Sequence, residues 1–213
     1  QCYNTLARAN LLMREDEEKR DTLNRFMDEE PDYNGEVEVV HYLTWLKEKI
    51  GWDALKEKVK VPLKDLQIAP FYGCTLVRPN DVALDAPSHT ILQEFIEALG
   101  ATPVQYAAAT ECCSSYQSLA HPEAGAKRIA KVLASAGQAG ANAMVLSCPM
   151  CEYNLGTRQA EVVEDGDAIP TYYFTQLLAI ALGLEPNRCH FELNSDSARK
   201  LLTDKEYVAS AAL

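Results

Sequence analysis

Ala143-Met144-Val145-Leu146-Ser147-Cys148-Pro149-Met150-Cys151-Glu152-Tyr153-Asn154-Leu155 carries the clearest structural signal in the chain. Ala143 to Ser147 reads as a buried strand ending at Cys148. Pro149 then opens a helix, because a first-turn residue needs no N–H donor. The same strand-then-helix order recurs on both sides. Ile68 to Tyr72 reads as a strand followed by a loop with Cys74. Ser88 to Leu99 reads as a helix, with Ser88 as its N-cap and Gly100 as its stop. Pro103 to Ala107 is a second strand leading to Glu111-Cys112-Cys113, and Pro122 to about Ala136 a helix. Ile169 to Phe174 is a further strand, and Thr175 to Leu182 a helix closed by Gly183. Alternating units of this kind predict an α/β fold with a mostly parallel sheet covered by helices.

The segment before this pattern has a different character. Tyr3 to about Asp28 reads as one helix with a narrow apolar face, and Glu29 to Gly35 as a loop. Glu36 to Val40 is a short extended piece and His41 to Val59 one or two helices. Lys60 to Lys64 reads as a linker.

The strand assignments give the cysteines a meaning. Cys74, the Cys112–Cys113 pair and Cys148 each follow the C-terminal end of a strand, and in open α/β sheets those ends line one ligand-binding rim. Thiolates are soft ligands that suit zinc and iron–sulfur clusters alike. Cys151, in the first turn of a helix, gains from the helix dipole and from free N–H groups. One zinc ion is complete with four ligands, whereas Cys74, Cys112, Cys113, Cys148 and Cys151 make five. The surplus thiolate favours a cluster, and structural zinc remains the alternative.

The spacing Cys-x37-Cys-Cys-x34-Cys-x-x-Cys resembles the cysteine-rich "CCG" domain of HdrB, a component of heterodisulfide reductase. Phe71-Tyr72-Gly73-Cys74, Cys148 to Leu155, and Ile169-Pro170 leading into Tyr173-Phe174-Thr175-Gln176-Leu177-Leu178 strengthen the likeness, which spans about residues 66 to 184. Ser114 follows Cys113 where the domain's name expects Gly, and its Cβ restricts the backbone there. The resemblance implies that the five cysteines hold a non-cubane [4Fe–4S] cluster that serves one-electron reduction of a disulfide, or oxidation of thiols. It also implies two such domains per protein. Cys2-Tyr3-Asn4-Thr5-Leu6 looks like the end of a first one, so residues 1–64 are expected to be its remnant plus a linker, and residues 65–213 a complete second domain. Cys2 would then ligate a second cluster. The chain opens on Gln1, so either something has been removed or this is the C-terminal part of a longer protein. Implied partners are a ferredoxin-like protein of HdrC type and, through it, a flavin-containing protein of HdrA type. Relatives also serve in sulfur oxidation and as electron-relay components of dehydrogenase complexes, so the substrate stays open, and a zinc-stabilised interaction domain is the non-redox alternative.

Composition narrows the classes. With 20 Lys and Arg against 31 Asp and Glu, the formal charge is −11. No basic block interrupts this acidity, which argues against a nucleic-acid partner. The most apolar run, Ile169 to Leu184, falls short of the roughly 20 apolar residues that a membrane span requires. No basic stretch followed by an apolar one opens the chain. Seven cysteines without an export signal point to metal or redox work in the cytoplasm rather than to structural disulfides.

Other residues read more plainly. Cys189 is an idle or buried thiol. His41, His89, His121 and His190 show no paired spacing; His121, eight residues after Cys113, is the candidate proton relay. Arg78, four residues past Cys74, reads as a surface ion-pair residue, with attraction of an anionic substrate as the alternative; Lys127, Arg128 and Lys131 read as a solvated helix face, and Tyr172-Tyr173-Phe174 as core.

Overall fold

A computed structural model of the chain describes residues 1–163 and 168–209. Four parallel strands form one sheet: β1 (Gln67–Pro70), β2 (Thr102–Pro103), β3 (Ala143–Leu146) and β4 (Thr171–Tyr173), in the order β2-β1-β3-β4. The α/β class and the parallel sheet expected from the sequence are what the chain adopts. β3 runs through the middle and all four of its residues are buried, as an apolar run in a doubly covered sheet should be. The residue pairs Ile68–Ala143 and Ala69–Met144 join β1 to β3, and Val145–Tyr172 joins β3 to β4.

Strand alternation divides the interior into two cores. Ile68, Ala143, Val145 and Tyr172 enter one core with Ile91, Leu92, Phe95 and Leu177. Ala69, Met144 and Leu146 enter the other with Ile129, Val132, Leu133 and Ala136. The last four recur at helical spacing along Pro122–Gln138 and give that helix one apolar stripe. Ile129, Val132 and Leu133 each contribute roughly 1.5–3 kcal/mol by leaving water. Leu43, Leu46, Leu55 and Leu63, from the stretch preceding the sheet, pack into the first core.

Several expected boundaries shift for identifiable reasons. The expected helix at Ser88 starts three residues later and spans Ile91–Ala98. Asp85 does the capping instead, its carboxylate accepting from the N–H groups of Thr90 (2.7 Å) and Ile91 (2.8 Å). The long N-terminal helix is two, α1 (Cys2–Glu15) and α2 (Glu17–Phe26). Asp16 breaks it by turning its side chain onto the N–H of Lys19 at 3.0 Å. β2 is only two residues long, and its ladder to β1 is carried by the N–H groups of Thr102 and Val104; Pro103 is tolerated between them because its nitrogen faces the open edge of the sheet. Tyr42–Trp45 runs into a π-helical turn, Leu46–Ile50, before a separate helix, Trp52–Lys58. Among the described residues no helix is long and apolar enough to cross a membrane.

Candidate metal centre

The chain leaves β1 for β2 on one side and later returns to lay β3 on the other. The switch in direction therefore lies between β1 and β3, where open α/β sheets offer a crevice at the strand C-termini. Cys74 comes from the loop after β1, Cys112 and Cys113 from the loop after β2. Cys148 and Cys151 come from the N-terminus of the Pro149–Leu155 helix that follows β3. The first two loops are tied together, since the N–H groups of Tyr72 and Gly73 both donate to Ala109 O. Gly73 adopts φ +62°, and a β-carbon there would stand 3.4 Å from the Cys151 sulfur. The loop can thus pass directly over that thiol.

All seven cysteines are free thiols. Cys151 lies within hydrogen-bonding reach of both Cys113 and Cys148, and Cys112 within reach of Cys74. Cys148 caps its helix while its own carbonyl accepts from the N–H groups of Cys151 and Glu152, each at 3.0 Å. The Cys113 sulfur faces Met150 O at 3.7 Å and accepts from Asn154 Nδ2 at 3.7 Å.

These contacts set the proton affinities. The Cys151 thiol donates to Cys148 and, with help from the backbone N–H groups of Cys151 and Met150, draws it down to about 5. Cys113 falls to about 6, first through the Cys151 thiol, then through the Ser115 N–H and Asn154. Cys151, donor to both, is pushed well up. Burial, then the neighbouring Cys74, raises Cys112 to about 11. Two sulfurs therefore have thiolate character even without a metal.

Among the described residues, no three His, Cys, Asp or Glu side chains form a group that could hold a metal ion as they stand. The sulfurs divide instead into the Cys74–Cys112 pair and the Cys113–Cys151–Cys148 run. Burial pushes the Tyr106 phenol up, with the nearby Cys151 sulfur as a second cause. Its hydroxyl is buried and, among the described residues, lacks a hydrogen-bond partner. A multinuclear group fits this donor set better than one ion does: the thiols number five, come in two sets, and leave a buried hydroxyl beside them without an acceptor.

The turn after Cys113 bears on the CCG motif. Ser114 takes φ +84° and Ser115 φ +45°, both left-handed. Ser114 thus occupies the backbone region a glycine adopts freely, so the departure from the motif is in side chain and not in conformation.

Other candidates fall as follows. His121 is exposed at the N-cap position of the Pro122–Gln138 helix and makes no side-chain capping bond. Cys2 is exposed in the first turn of α1. That helix begins at the rim: the Gln1 nitrogen lies 3.9 Å from the Cys148 sulfur, and Asn4 Nδ2 donates to Thr75 O (2.9 Å) and Arg78 O (2.8 Å). Cys189 sits in the first core, whereas Cys113, Cys148 and Cys151 belong to the second. Among the described residues Arg78 makes no ion pair and donates to Thr110 O. Arg128 and Lys131 are not simply solvated; both pair with Glu111, the residue before Cys112. Tyr172 is core, as expected, while burial raises Tyr173 to about 12, with Glu152, Cys148 and Cys151 adding their charge. Sequence alone assigns no individual role to Gly73, Tyr106 or Asn154. Only Asn154 left a usable signal: it sits three residues after Cys151, on the same helical face.

Residues 68–156 match the family described as "Cysteine-rich domain" (CCG). The chain is 32% identical, over its whole length and 73% of the relative's, to the HdrB component of the ferredoxin/F(420)H(2)-dependent CoB-CoM heterodisulfide reductase of Methanosarcina acetivorans. It is 28% identical, over 94% of its length and 71% of the relative's, to the "8-methylmenaquinol:fumarate reductase membrane anchor subunit" of Wolinella succinogenes. The fold is also that of a hypothetical protein from Helicobacter pylori, with a TM-score of 0.68 at 13% identity, covering 88% of this chain and 34% of that one. With its parallel sheet, its rim of thiols and this identity, the chain belongs to the HdrB family of heterodisulfide reductases, oxidoreductase components built on the cysteine-rich CCG domain.

Proposed function

We propose that this chain is the part of a heterodisulfide reductase-type complex that holds an iron–sulfur cluster and exchanges electrons with a sulfur substrate. Cys74, Cys112, Cys113, Cys148 and Cys151 hold the cluster. The observation that carries this reading is that five free thiols from three loops stand at one sheet rim, three of them together in the second core. When bound, the cluster supplies one-electron redox chemistry beside a disulfide or a pair of thiols. The chain's own contribution is to gather the thiolates, keep Cys113, Cys148 and Cys151 in the second core and close the crevice with Gly73 and the start of α1. In its finer form the proposal is a non-cubane [4Fe–4S] centre acting one electron at a time on the mixed disulfide of coenzymes M and B. Residues 1–64 are read as the end of a first cysteine-rich domain plus linker, and residues 65–213 as the second domain. Cys2 is then a ligand of a second cluster. Electrons come from a ferredoxin-like HdrC-type partner and a flavin-containing HdrA-type partner, in the cytoplasm. His121 is assigned proton delivery. The name of the Methanosarcina relative supports the choice of substrate.

A second reading is a pure electron relay, and the relative named as part of a fumarate reductase favours it. Anaerobically purified protein, reduced and mixed with coenzyme M–coenzyme B disulfide, separates the two. The reductase reading requires thiol formation that depends on bound iron. A loaded, redox-active protein that yields no thiol would leave the relay.

A further inference from the structure

Asn154 is fully buried, and polar side chains are buried only where their hydrogen bonds are made. Its Nδ2 donates to Ser115 O at 3.2 Å and faces the Cys113 sulfur at 3.7 Å. Its Oδ1 accepts from the Ser118 hydroxyl at 2.7 Å. The orientation of the amide follows from the chemistry of these partners. A carbonyl oxygen can only accept, so the nitrogen must point at Ser115 O, and the same nitrogen then points at the sulfur. The Ser118 hydroxyl also lies 2.7 Å from Ser115 O, so one small network spans the left-handed turn behind Cys113. Gly125 lets the Pro122–Gln138 helix close over it, since a β-carbon there would come within 2.8 Å of Ser118 Cα.

We infer that Asn154 is a positioning residue for the redox centre, a built-in N–H donor to the Cys113 sulfur that raises the reduction potential of whatever cluster that sulfur ligates. The inference rests on the cluster reading above. Hydrogen bonds to ligand sulfurs are among the factors that set cluster potentials. A donor favours the more negatively charged, reduced state, because charge-assisted bonds are the stronger ones. No backbone movement is needed for Asn154 to act. It sits one helical turn beyond Cys151 and reaches across to a cysteine from a different loop, so it also fixes the two loops against each other.

The test compares wild-type protein with N154S and S118A, all loaded anaerobically, by iron and sulfide content, redox titration and electron paramagnetic resonance. Serine is too short to reach the sulfur. S118A leaves the amide and its bond to Ser115 O, removes the hydroxyl that ties Asn154 to the turn, and so controls for loosening of the turn. The expected result is wild-type iron content in both variants, with a more negative potential and an altered spectrum in N154S only. Should N154S fail to fold, N154L carries the same expectation, since leucine keeps the side chain's shape, offers no donor to the sulfur and adds no charge. Iron at the wild-type level with unchanged potential and spectrum would overturn the inference and leave the cluster reading intact. So would an equal shift in S118A, or loss of iron from N154S, because either assigns Asn154 to structure and not to tuning. Absence of iron from the wild-type protein would instead overturn the cluster reading, and this inference with it.

Discussion

Gly73 and the Cys151 sulfur are so close that a single added carbon on the glycine would touch the thiol, at 3.4 Å. The same β-carbon would stand 3.3 Å from the Phe71 ring, and the residue's φ of +62° disfavours any side chain. Gly73→Ala is therefore expected to lower stability by about 1–2 kcal/mol, read as a reduced urea midpoint with unchanged slope. It should also reduce bound iron, because the loop that carries Cys74 must move. An unchanged midpoint would show that the loop adapts freely.

Ser114 presents the opposite case. It holds φ +84° with a side chain that gains nothing from that conformation. Ser114→Gly should remove the strain, stabilising the chain by about 0.5–1 kcal/mol once glycine's greater freedom in the unfolded state is subtracted. Chemical denaturation reads the difference. A destabilised variant would contradict the strain argument.

Tyr106 is expected to behave differently with and without the cluster. Its buried hydroxyl has no partner among the described residues, so Tyr106→Phe should stabilise metal-free protein by about 1 kcal/mol or leave it unchanged. In loaded protein the same change should weaken cluster retention, followed as iron loss under a chelator. Equal effects in both forms would show that the hydroxyl does not serve the centre.

His41 gives a pH dependence. Its ring lies against Tyr3 and Phe174, and burial lowers it from 6.5 to about 4. Its Nδ1 accepts from the Leu43 N–H at 3.2 Å, a bond only the neutral ring can make. The folded value lies below the unfolded one, so this contribution is complete above about pH 6.5 and is lost as pH falls toward 4. His41→Phe should flatten the stability profile in that window. A profile with the same slope in the variant would assign the acid sensitivity elsewhere.

Much of this architecture was legible because the decisive segments carry redundant signals. β3 is an uninterrupted apolar run bounded by Cys148 and Pro149, and the Pro122–Gln138 helix repeats Ile129, Val132, Leu133 and Ala136 at helical spacing. The placement of the thiol-bearing loops at one rim followed from the alternation of strands and helices, which sets the C-terminal ends of parallel strands on the same side. What stayed hidden depends on competition between neighbours. Nothing local tells that Asp85 will displace Ser88 at the helix start, or that Asp16 will fold back and split the first helix. The roles of Tyr106 and Asn154 required knowing which loops meet, since a tyrosine in a loop and an asparagine on a short helix are ordinarily satisfied by solvent.

Iron and acid-labile sulfide, measured on anaerobically purified protein beside its Cys113→Ser and Cys189→Ser variants, bear most directly on the five-thiolate centre. The expected result is iron and sulfide in comparable amounts in the wild type, a loss or an altered spectrum in C113S, and no change in C189S. Stoichiometric zinc without sulfide, or iron indifferent to Cys113 and sensitive to Cys189, would contradict it.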